Sequence, residues 1–76
     1  MNDPKFTPPI WHTPDGEAVS CLEKIKILNE NLEEIRELAQ DAFEDAVLMG
    51  CDEVQFRNTL GNIAQSIVNP YKRDKD

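Results

Sequence analysis

Few residues in this chain carry a wide chemical repertoire: one histidine, His12, and two cysteines, Cys21 and Cys51, beside fifteen carboxylates. A general base or metal ligand at His12 would rest on a single imidazole set among Pro8, Pro9 and Pro14, in the least regular part of the sequence. A surface or packing histidine is expected instead. Zinc needs three or four ligands, which would have to come from His12, the two thiols and a carboxylate. Cys21 and Cys51 flank a predicted helix about 43 Å long, so they cannot meet within one chain. Their spacing fits neither a Cys-x-x-Cys pair nor a disulfide framework, and reduced thiols are the expectation.

Other chemistries fail on the same inventory. A di-iron bundle needs Glu-x-x-His pairs, and one histidine cannot supply them. No glycine-rich phosphate loop, Ser-His-Asp set or calcium-binding loop is present. The sequence therefore predicts a protein that is not an enzyme and that uses no cofactor and no metal.

Charge narrows the partners. Fifteen acidic and eight basic side chains give a net charge of −7, which opposes nucleic acid and anionic membrane surfaces because both require cation clusters. The one basic cluster, Lys72, Arg73 and Lys75, is diluted by Asp74 and Asp76 and reads as a flexible charged tail over 69–76. Residues 1–9 have neither the cationic start nor the apolar stretch of a secretory signal, and no apolar run approaches the roughly 20 residues of a membrane span. A cytoplasmic location is expected.

The elements that would position these residues follow from patterning. Residues 1–19 read as an extended, proline-rich arm, since Pro4, Pro8, Pro9 and Pro14 remove backbone donors and bias their predecessors away from helix. Within it Phe6, Ile10 and Trp11 are candidate anchors, because docking a large indole gains on the order of 2 kcal/mol or more. After the turn Pro14-Asp15-Gly16, Ser20 with Glu23 forms a capping box. A long helix is predicted from Cys21 to Met49.

Along that helix Cys21, Ile25, Leu28, Leu32, Ile35, Ala39, Ala42, Ala46 and Met49 recur at spacings of four and three. With Ile25, Leu32, Ala39 and Ala46 as heptad a positions, the others fall at d and every f position is glutamate. Leu22 and Phe43 at e, and Leu38 at g, widen the stripe toward a globular bundle. Gly50 is a candidate left-handed cap, and Asp52 a candidate N-cap for a second helix over 53–68, with Phe56, Leu60, Ile63 and Ile67 as its apolar stripe and Asn69-Pro70 as its stop. Gly61, which costs about 1 kcal/mol relative to alanine, suggests a closely packed neighbour.

The predicted fold class is thus all-α: a lopsided antiparallel helical hairpin over 20–68 with an extended arm. The second helix, about 24 Å against about 43 Å, covers only the C-terminal part of the first. Cys21, Ile25, Leu28, Leu32 and Ile35 then need cover from the arm or from a second copy, and the preferred arrangement is an antiparallel homodimer completing a four-helix bundle. The functional expectation is a non-catalytic protein–protein interaction module, a homodimer whose acidic face suits a basic protein partner. Two alternatives accompany it: a thiol- or metal-responsive regulatory protein using Cys21 and Cys51 at a dimer interface, and an accessory subunit of a larger enzyme.

Overall fold

The computed structural model describes residues 6–71. The expected tail cluster at Lys72, Arg73 and Lys75 and the first five residues of the arm lie outside them. Two helices follow the arm, α1 at Leu22–Leu48 and α2 at Glu53–Ser66. Among the described residues no strand forms, and the fold is an all-α hairpin of one 27-residue and one 14-residue helix. None of the helices is long and apolar enough to cross a membrane.

The helix ends are set by local chemistry. The Cys21 carbonyl accepts the Ile25 N–H at 3.1 Å, so Cys21 occupies the N-cap position, one residue after the expected Ser20. At the other end Gly50 adopts φ +85. Its N–H donates to the Val47 carbonyl at 3.0 Å, and the Cys51 N–H donates to that of Ala46 at 2.9 Å. These two bonds form a Schellman motif, which satisfies carbonyls the helix would otherwise leave open and requires the left-handed residue that glycine supplies. Two residues later the Asp52 carboxylate accepts the Gln55 N–H at 2.7 Å and caps α2.

Helix α2 ends at Ser66, two residues before the expected 68. Ile67 is extended at φ −70, ψ 134, and its N–H reaches back only three residues, to Ala64. The Ser66 hydroxyl donates to the Ile63 carbonyl at 2.7 Å, a side-chain bond that competes with the helical ladder. Beyond it the Asn69 side chain accepts the Tyr71 N–H at 2.8 Å, the Asx-turn that Asn-Pro favours.

The chain divides into two compact units, Met1–Gln40 and Asp41–Asp76. In the first, the arm departs from the extended form expected of it. The Gly16 N–H donates to the Thr13 carbonyl at 2.9 Å, the Thr13 N–H to Glu17 at 2.8 Å and the Val19 N–H to Trp11 at 2.8 Å, around a bridge between His12 and Ala18. Proline at the second position and Gly16 at φ +93 make a three-residue hairpin loop. The arm therefore doubles back on itself between Trp11 and Val19.

In the second unit α2 meets the end of α1. The Phe43 and Phe56 rings pack edge to face, 5.8 Å between centroids at 68°, and the Arg57 guanidinium lies 4.6 Å above the Phe43 ring. Such pairs contribute about 0.5–1.5 and about 0.5–1 kcal/mol respectively. Ala46 is the one buried residue among those described, 5% exposed. A methyl at Gly61 would meet nothing within 4 Å, so this glycine does not mark a close helix contact within the chain, contrary to expectation.

Candidate functional site

Chemical groups come together at few places. Among the described residues no three His, Cys, Asp or Glu side chains assemble into a group able to hold a metal ion. Cys21 and Cys51 are both free and exposed, and His12 is an exposed member of the arm's bridge. The acidic side chains of α1 form an exposed face, on which Lys26 pairs with Glu30 at 2.6 Å. An exposed pair of this kind contributes a few tenths of a kcal/mol.

Among the described residues a directed contact ties the arm to α1 at Trp11. The Trp11 indole N–H donates to the Asn29 side-chain oxygen at 2.8 Å, in a part-buried setting. Asn29 stands at heptad e between Ile25 and Leu32, and these three side chains share one face and are all largely covered. An indole can be buried this way because its one polar atom finds an acceptor. Phe6 and Val19 are also partly covered, whereas Ile10, expected to dock beside Trp11, is 75% exposed. Trp11 is the anchor that makes a bond, and Asn29 is its partner on the helix.

That attachment rotates the covered side of the helix. In the first unit the partly covered positions of α1 are Ile25, Asn29, Leu32, Arg36 and Ala39, which are a and e positions in place of a and d. In the second unit the e-position residue Phe43 makes the ring contact to α2 and the a-position residue Ala46 is buried. In each unit an e-position residue of α1 makes the attachment, Asn29 in the first and Phe43 in the second. On the d side Cys21 is exposed, Leu28 is 36% exposed and Ile35 61%, and Leu38, at the neighbouring g position, is 72% exposed, whereas Ala42, the next d position, is partly covered.

The five residues expected to share one interface thus fall on two sides. Ile25 and Leu32 lie under intrachain cover, and Cys21, Leu28 and Ile35 remain open. Leu38, read from sequence only as a widening of the stripe, joins the open set. Asn29 was not singled out, although an uncharged amide between two core positions, on a helix whose outer positions are glutamate, is the available signal for an indole partner. No protein-family model, characterised protein or solved structure matches the chain.

Proposed function

We propose that the chain is a non-catalytic protein–protein interaction module that works as a homodimer, two hairpins together forming a four-helix bundle. The observation that carries this reading is the apolar surface left uncovered. On α1, Leu28 is 36% exposed, Ile35 61% and Leu38 72%. Leucine and isoleucine side chains gain about 1.5–3 kcal/mol each on full burial, and that gain is still available at these positions on α1. Self-association is a common way for small domains to acquire a core. The acidic outer face of α1 then remains for a basic partner, which it would attract by long-range complementarity.

Light scattering on the full chain and on an Ile35→Asp/Leu38→Asp double variant tests the reading. Both positions are exposed, so the variant keeps its helical circular dichroism. The parent is expected to have twice the monomer mass at micromolar concentration and the variant the monomer mass. A parent that is monomeric there, or a variant that stays dimeric, would overturn it.

A further inference from the structure

Resting on the homodimer reading, we infer that the open side of α1 is built to pair antiparallel with the same side of a second copy, with Leu28 of one chain against Leu38 of the other. The row concerned runs along α1 at alternating spacings of four and three, from Lys24 through Leu28, Ile35 and Leu38 to Ala42 and Asp45, with Asn31 as its one uncharged polar position. Its middle is apolar and exposed. Its two ends carry opposite charges, a lysine at the start and an aspartate at the finish. Among the described residues Lys24 has no ion pair of its own, whereas Lys26 is already paired with Glu30.

This arrangement is complementary to itself in one direction only. A parallel in-register pair would set Lys24 against Lys24 and Asp45 against Asp45, with the like charges at both ends repelling. An antiparallel pair sets each lysine against the acidic end of the other copy. Register follows from the same row. With Leu28 opposite Leu38, Ile35 faces Asn31 and Lys24 lies opposite Ala42, one helical turn from Asp45. A slip of one heptad places Asp45 on Leu28, which would bury a carboxylate against an apolar side chain.

Cysteine cross-linking reads the orientation. In a Cys21→Ser/Cys51→Ser background, Leu28→Cys and Leu38→Cys are made as separate variants, each at an exposed site. Under mild oxidation the equimolar mixture is expected to give a covalent dimer on non-reducing gels, while each variant alone stays monomeric. In the antiparallel pair like positions are ten residues apart, about 15 Å, well beyond disulfide reach. A dimer band from either variant alone would mean parallel pairing and overturn the inference, as would a mixture that fails to cross-link while light scattering still shows the dimeric mass. A monomeric mass in both single variants and in the parent would overturn the homodimer reading itself. As a second readout, Lys24→Asp should weaken dimerisation about three- to tenfold, since two exposed ion pairs are lost. Adding Asp45→Lys should restore it, and a double variant as weak as Lys24→Asp would contradict the proposed charge pairing.

Discussion

Replacing Asn29 with alanine isolates the bond that holds the arm. The Trp11 N–H to Asn29 bond contributes about 1 kcal/mol net, as an ordinary intramolecular hydrogen bond in a partly covered site. The indole itself removes on the order of 150 Å² from water, worth on the order of 3–4 kcal/mol as an upper bound. Asn29→Ala should therefore raise the population of undocked arm about fivefold without abolishing docking, since about 1 kcal/mol is a factor of roughly five. Trp11→Ala, which loses both contributions, should raise it more than a hundredfold. The reporters are the amides of Thr13, Gly16 and Val19, which donate within the arm's hairpin. An isolated hairpin is marginal in water, so undocking opens these bonds, and amide hydrogen exchange followed by NMR measures how often. Asn29→Asp keeps an acceptor oxygen and should retain most of the protection. If Trp11→Ala leaves the three amides exchanging as in the parent, the arm is ordered by its own turn and the Trp11–Asn29 bond does not hold it.

Further perturbations test the second unit. Phe56→Ala removes the ring packed on Phe43 and should cost about 2–3 kcal/mol in denaturant unfolding, below the ~3–5 of a fully buried phenylalanine. A loss under 1 kcal/mol would show that the ring pair does not hold α2. Two glycine replacements should act in opposite directions, because Gly50 sits at φ +85 and Gly61 lies inside α2 with open space beside it. Gly50→Ala should destabilise by about 1 kcal/mol through left-handed strain, and Gly61→Ala should stabilise by about 1 kcal/mol, both read as shifts of the urea midpoint. Asp52→Ala removes the carboxylate that accepts the Gln55 N–H and should cost about 1 kcal/mol; an unchanged midpoint would mean that water replaces the cap at no cost.

The parts of the fold legible in the sequence are those that local chemistry decides. Gly50 and Asp52 cap the two helices as their residue types imply, because a Schellman motif and an N-cap depend on a few neighbouring residues and no distant contact. The α1 start shifted by one residue, since the choice between Ser20 and Cys21 depends on how the chain leaves the arm. The hairpin of the arm was hidden behind its prolines: the Pro14-Asp15-Gly16 turn was visible, but the pairing of Trp11 with Val19 needs two short segments with no periodicity. The covered side of α1 was the least legible feature. Apolar residues at a, d, e and g left the direction of cover open, and it was settled by Asn29 and Phe43 at e, whose partners Trp11 and Phe56 lie elsewhere in the chain. Asn29 illustrates the general difficulty, because a polar side chain on a helix reads as solvent-facing until its donor is known.

The mass of the full chain in solution, followed by light scattering through a dilution series from high to low micromolar concentration, bears most directly on the central claim that α1 completes its core with a second copy. A mass of twice the monomer at the upper end, falling toward the monomer on dilution or holding throughout, is the expected result. A monomer mass at every concentration, with the helices intact by circular dichroism, would contradict it and leave the exposed Leu28, Ile35 and Leu38 without the partner proposed for them.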